Sequence, residues 1–392
     1  MRRRARSVRA SVLGGIATAL TGSAVLVGLG AGAAPSDLPD LVPQLPLGQT
    51  NVNDRWVDTH EIRGRTLFRF DTVINNFGSG AFEVYRDAAG TTYQRVWSGG
   101  DPLATGTPKA FPAGAPPAED IPLAGGGIGQ PNAMRYSDAF GHKHVHSQRI
   151  AAYDLLDRKG AVVREAAKNL AGFCLYDSWG PPRSGAPARY LDTYGDGGLP
   201  CAAGEPGYAG FLRMGIQRDW GDFYRSQLYD QWVDVTDVRP GTYRLRATVD
   251  PDGLYTESDE GDNVVVDPAV VIPGVVVRSR AVATPPGVAL AVRLSGRVVG
   301  AGVKSRRTRC SDDQTRLASC MTTADPRALA FVVRRLPKGS GTVRVVHRRA
   351  VYRPPPGFTG TVRFTYTGRD SRGLVSAPAR VTVRVGGPRA AR

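Results

Sequence analysis

Tyr243-Arg-Leu-Arg-Ala-Thr-Val249 alternates strictly, with Tyr243, Leu245, Ala247 and Val249 on one side and Arg244, Arg246 and Thr248 on the other. A period of two describes a strand with one face in a core and one in water. Upstream, Gln231–Val238 reads as a second strand. The joining Arg239-Pro240-Gly241-Thr242 has proline at i+1 and glycine at i+2, a type II turn pattern. Working outward, Thr66–Asn75, Phe82–Arg86, Thr92–Trp97, Ile150–Asp157 and Ala161–Glu165 are further short strands, the last two hinged at Asp157-Arg-Lys-Gly160. No long 3.6-residue period appears, and Asp157–Leu170 holds at most a turn or two of helix. The fold class is all-β. Residues 34–47 are proline-rich and expected to lie extended over the surface, and Ser98–Asn132 is expected as a loop.

At Pro273-Gly274 the composition changes. Residues 34–273 carry 22 basic and 31 acidic side chains, net −9; residues 274–392 carry 24 and 4, net +20. The overall +16 therefore conceals two opposed regions. The second has strands of the type Val288–Leu294, Leu329–Val333, Gly341–Val346, Gly360–Tyr366 and Ala379–Val385, regularly spaced as in a β-sandwich. An acidic domain concentrates cationic substrates and a basic one holds polyanions. The basic region lacks the aromatic series of single-strand binders, so an anionic cell-wall polymer is the expected partner and nucleic acid is not. A merely solubilising basic surface is the alternative.

The N-terminus has Arg2, Arg3, Arg4, Arg6 and Arg9, an apolar stretch from Val12 to Leu29, then Ala31-Gly-Ala33, which together read as a secretory signal peptide. Glycines dilute that stretch, so no stable membrane span is expected, and the protein is placed outside the cell, in association with the wall. The expected organisation is signal 1–33, an acidic β domain 34–273, a basic sandwich 274–387 and a tail 388–392. In an oxidising compartment Cys174 with Cys201 and Cys310 with Cys320 is the economical pairing, although sequence alone allows three connectivities.

Three of only five histidines fall in His142-Lys-His144-Val-His146. On a strand the three imidazoles share one face, and neutral imidazole suits copper, zinc, iron or nickel. A solvated polar face is the bland reading. His60 and His347 are isolated and read as surface or loop residues. No nucleophile elbow, P-loop or dinucleotide fingerprint is present, which leaves hydrolase and nucleotide readings without support.

His142-Lys-His144-Val-His146-Ser147, followed by Tyr153-Asp-Leu-Leu-Asp157, resembles the copper-binding segment of lysyl oxidases. Phe173-Cys174-Leu175 with Asp177, then Tyr224, Gln231-Trp-Val-Asp-Val-Thr-Asp-Val238, Pro240-Gly241, Tyr243, Glu257-Ser-Asp259 and Asn263-Val-Val265 resemble the later blocks in order, over roughly Leu38 to Pro273. The resemblance implies copper on His142, His144 and His146. It also implies a lysine tyrosylquinone built from Tyr224, whose other reading is a structural residue clustered with Trp220 and Phe223. The family's lysine position falls on Leu170. Lys168, two residues earlier, is the candidate partner if a local bulge brings it to Tyr224; otherwise it is an exposed loop lysine, and the quinone is unlinked or never forms. Gly141 and Ala152 stand where the animal proteins have cysteine and histidine. Asp154, Asp157 and Asp237 are candidate bases, the first two also candidates to orient an imidazole. The implied activity is oxidation of a primary amine, as peptidyl lysine or a small amine, to an aldehyde with dioxygen, releasing hydrogen peroxide and ammonia. A non-catalytic extracellular copper-binding module is the competing function. The run Tyr352-Arg-Pro-Pro-Pro-Gly-Phe358, with Phe364, Tyr366 and Asp370, resembles a bacterial cadherin-like or immunoglobulin-like module, in which the aromatic pair packs the core and the aspartate begins a turn.

Overall fold

Leu155 lies opposite Leu245 and Tyr153 opposite Ala247, so the alternation that begins at Tyr243 finds its partner in the strand Ala151–Leu156. Gly241–Val249 is flanked on its other edge by Val264–Ile272, and Ala151–Leu156 by Val162–Glu165, giving a four-stranded antiparallel sheet. Tyr153, Leu155, Leu245, Ala247 and Val249 are all buried on one face. A fully buried leucine or valine contributes about 1.5–3 kcal/mol on leaving water. The structure, a computed structural model, describes residues 38–45, 55–86, 91–97, 118–122, 134–137, 144–180, 201, 212–306, 320–334 and 336–386. The expected signal peptide, His142, Cys310 and the 388–392 tail lie outside the described residues.

Around this sheet sit Leu41–Gln44, Thr72–Asn76 and Gly221–Tyr224 in one sheet and Leu212–Ile216, Phe82–Arg86, Thr92–Trp97 and Ala118–Pro122 in another. A five-stranded sheet runs Trp232–Asp234, Leu67–Phe70, Arg55–Asp58, Lys304–Arg306, Met321–Thr322. His144–Ser147 pairs with Met134–Ser137.

Over its described residues, 38–45, the proline-rich start does not lie over the surface: Leu41 and Leu45 are buried, and Leu41–Gln44 pairs with Thr72–Asn76. Part of the expected Ser98–Asn132 loop is the strand Ala118–Pro122. Thr66–Asn75 is broken at Asp71, which leaves both ladders, and its two halves belong to different sheets. Gln231–Val238 is a strand only over Trp232–Asp234; a tight turn, with the Val238 N–H donating to the Val235 carbonyl, ends it. Gly241 does not have the positive φ that a type II turn requires, because it already opens the next strand.

In the second region Ala330–Val333, Gly360–Arg369 and Ala379–Val385 pair antiparallel, and Arg280–Thr284 adds to the last in parallel. Leu290–Arg293, Arg349–Arg353 and Thr342–Val346 form the opposing sheet. Val292, Tyr352, Phe364, Tyr366, Val381 and Val383 fill the space between them. Phe364 and Tyr366 are buried as the module resemblance implies, and Asp370 closes a turn by accepting from the Gly373 and Leu374 N–H groups. The chain is all-β, and the only α-helix among the described residues is the single turn Lys168–Ala171. Ala33–Arg392 forms one compact unit with two hydrophobic clusters, one reaching Ile272 and taking in Leu374, the other starting at Val275.

Candidate metal and cofactor site

His144 and His146 point to one face of their strand, and their Nε2 atoms meet at 2.7 Å. Two nitrogens each about 2.0–2.1 Å from one ion and roughly at right angles to it would be about 2.8–3.0 Å apart, so the pair is spaced as neighbouring ligands. The other nitrogen of His146, Nδ1, lies 2.6 Å from the Ala171 carbonyl. That bond requires Nδ1 to carry the proton, which leaves the Nε2 lone pair for a metal. The carbonyl reaches the ring because Gly172 follows it. At φ +78°, a Cβ on Gly172 would sit 2.5 Å from Gln148 Nε2 and 2.7 Å from the Ser147 carbonyl. Phe173 then exchanges two 2.8 Å backbone hydrogen bonds with Ser147, and the Val145 N–H donates to the Cys201 carbonyl. Cys174 is disulfide-bonded to Cys201. One edge of the histidine strand is thereby tied to Phe173 and, through Cys201, to Cys174, while Met134–Ser137 pairs with the other edge.

The same segment receives the tyrosine. The Tyr224 hydroxyl donates to the Cys174 carbonyl at 3.0 Å, and its ring meets Phe173 edge to face at 5.1 Å. Tyr224 does not cluster with Phe223, which faces the other way and packs on Trp179. Tyr153 extends the aromatic group, 6.1 Å from Phe173 and 5.6 Å from Phe70.

Lys168 enters this cage. It is 3% exposed, while Leu170 is 83% exposed. The Lys168 Nζ lies 4.7 Å from the Tyr224 ring centroid and 5.1 Å from that of Phe173. The device is one helical turn and not a bulge: residues two apart on a helix do not share a face, so Lys168 turns in and Leu170 turns out. Asn169 pins the turn by accepting the Tyr153 N–H at 2.8 Å and donating to the Tyr153 carbonyl at 3.2 Å.

Burial pulls the Lys168 ammonium down to about 8, against the nearby charges of Asp230 and Asp222. Burial likewise pushes the Asp222 carboxyl up to about 7, against the Tyr224 and Ser178 hydroxyls and the Lys168 charge. Asp222 Oδ1 accepts from Ser178 Oγ at 2.8 Å. Its Oδ2 has no well-aligned donor, although Tyr224 and the Tyr176 backbone lie close enough to be felt. Burial, followed by the Asp222 charge, holds the Tyr224 phenol well above its ordinary value.

The expected aspartates go elsewhere. Asp154 is paired with Arg246, Asp157 accepts the Lys159 and Ala161 N–H groups of its hairpin, and Asp237 lies exposed in a turn. None is hydrogen-bonded to the His146 ring, whose Nδ1 faces the Ala171 carbonyl. Sequence reasoning missed Asp222; its position two residues before Tyr224 was the available signal, since alternation sets both on one strand face.

Residues 129–271 match the lysyl oxidase family model, a narrower range than Leu38–Pro273. Over 125 residues, 32% of the chain, the sequence is 36% identical to lysyl oxidase homolog 4 of Mus musculus and to lysyl oxidase homolog 2B of Danio rerio. The Homo sapiens lysyl oxidase homolog 4 is 35% identical over the same length. The chain covers 14% of the length of each of these relatives. The matched segment contains all of the histidine, lysine and tyrosine positions above. Among solved structures, fibronectin(III)-like modules of Clostridium thermocellum CbhA align at TM-score 0.17 and 13% identity over 46% of this chain and 76% of theirs. Mouse cadherin-23 EC22-24 aligns at 0.20 and 10% over 91% and 88%. Overlaps so slight carry no argument.

Proposed function

We propose that this protein is a secreted copper-dependent amine oxidase of lysyl oxidase type. The carrying observation is the Lys168 amine held over the Tyr224 ring inside a buried aromatic cage. His144 and His146, with His142, would hold the copper, and the protonated Nδ1 of His146 keeps its Nε2 available. Tyr224 and Lys168 would be joined as lysine tyrosylquinone, an electrophile that takes two electrons from a primary amine and passes them to dioxygen. In sum, amine, dioxygen and water give aldehyde, ammonia and hydrogen peroxide.

The chain's own residues contribute position and proton handling. Phe173 and Tyr153 exclude water from the Lys168 and Tyr224 pair. An amine must shed its proton before it can form a bond, and the partial neutrality of Lys168 near pH 8 supplies that form. Asp222, poised near 7, is the residue placed to take a proton beside Tyr224. The negative charge of residues 34–273 favours approach of an ammonium-bearing substrate, peptidyl or small. The basic C-terminal region, read as an immunoglobulin-like or cadherin-like module, would carry the association with an anionic wall polymer.

Copper-loaded protein exposed to air should show a visible quinone absorbance that phenylhydrazine quenches, and should release hydrogen peroxide from a primary amine. Copper binding with neither signal would replace this reading with that of a non-catalytic copper module. Zinc in the purified protein with no quinone would favour a hydrolase.

A further inference from the structure

The C-terminal region inserts a strand into the sheet that supports the site. Lys304–Arg306 pairs in parallel with Arg55–Asp58, and the Arg306 carbonyl accepts from both the backbone N–H (3.1 Å) and the hydroxyl (3.2 Å) of Thr59. The Arg306 side chain is 9% exposed and donates to the Asp58 and Glu61 carboxylates. Those two carboxylates also hold Arg69, which is fully buried. Arg69 and Arg306 both lie over the Trp56 ring, at 5.3 and 5.2 Å from its centroid. Two arginines and two acids thus form a charge-balanced quartet about one indole, fully buried at Asp58 and Arg69 and partly exposed at Glu61.

The quartet ends on the loop that follows Tyr224. Arg69 Nη1 donates to the carbonyls of Ser226 at 3.0 Å and Leu228 at 2.8 Å. Trp56 Nε1 donates to Ser226 Oγ at 3.0 Å, and Asp71 accepts the Ser226 N–H at 2.6 Å. This loop presents Leu228 and Tyr229 to solvent and carries Asp230, whose charge is felt by Lys168.

We propose that Arg306 of the C-terminal region is a positioning residue for the amine site, acting through Asp58, Glu61 and Arg69 on the 225–230 loop. Without Arg306 the two carboxylates share one cation, and Asp58, fully buried, loses a charged partner. Arg69 is then drawn towards the acids and its grip on the Ser226 and Leu228 carbonyls slackens. Removing a charged donor from a buried group weakens such a contact by a factor of ten or more. The structural half of this inference stands without the amine oxidase reading, and only its consequence for the Lys168–Tyr224 cross-link rests on that reading.

The test uses the full chain and two variants, Arg306→Ala and Arg306→Lys, followed by amide hydrogen exchange in the copper-free protein. In Arg306→Ala the 225–231 amides should exchange on the order of tenfold faster, with those of Gly360–Arg369 unchanged. Arg306→Lys keeps the charge but loses the planar guanidinium that lies over Trp56, so its exchange should be intermediate and its fold secure. After copper loading, the cross-linked fraction should fall several-fold in Arg306→Ala and recover partly in Arg306→Lys, with copper uptake unchanged. Unchanged 225–231 exchange in both variants, or an equal rise everywhere, overturns the proposal. If the wild type makes no cross-link at all, the functional reading fails and the exchange result still decides the positioning role.

Discussion

The two hydrophobic clusters differ in what they bury beside their apolar side chains. The first takes in Asp58, Arg69, Asn75, Asn76, Lys168 and Asp222. The second is filled by valines and aromatics, and its neighbourhood buries one fully paired set, Arg372 with Asp370 and the carbonyls of Val299, Gly300 and Val303. Burying a charge is unfavourable unless every polar atom is satisfied, as around Arg372. Asp222 Oδ2 is not satisfied in this way, and Lys168 rests mainly on aromatic faces. One region is built for stability. The other retains groups that weaken the fold and can change protonation near neutrality.

Removing the tyrosine should break this contrast most completely. Tyr224→Phe should abolish the cross-link and the quinone absorbance while copper binding stays within about twofold and stability falls by about 1 kcal/mol for the lost hydrogen bond. Mass spectrometry, spectroscopy and metal titration read the three separately. In the other region Phe364→Ala should lower unfolding stability by about 3–5 kcal/mol in denaturant titration, yet leave the cross-linked fraction of folded protein unchanged. Gly172→Ala should displace the Ala171 carbonyl from His146 and weaken copper binding by about 10–100-fold, measured by competition with a chelator.

The smallest effect concerns pH. A carboxyl held at about 7 in the folded chain contributes stability that is fully present below its ordinary value of 3.8 and lost as pH rises through 7. Asp222→Asn should therefore flatten the fall in stability between pH 4 and 7. Melting temperatures across that range check it. An unchanged slope would remove Asp222 as a poised group.

The strands around Tyr243 and Ile150 were legible because alternation records burial on one face, and so were the paired aromatics Phe364 and Tyr366. Leu41–Gln44 was obscured by flanking prolines, since four residues with two buried positions carry too little pattern. Lys304–Arg306 could not be read as part of the first region's sheet, because its pairing partner lies about 250 residues away. At the site, His144 and His146 were visible as a face. The placement of Lys168 was not, because one turn of helix set by Asn169 and Gly172 decides whether 168 or 170 faces inward.

A peptide map of the copper-loaded, air-exposed full chain tests the central claim most directly. The account predicts one species in which the Lys168 and Tyr224 peptides are covalently joined, absent from the copper-free protein. Recovery of both peptides unlinked and unmodified from fully copper-loaded protein would contradict it.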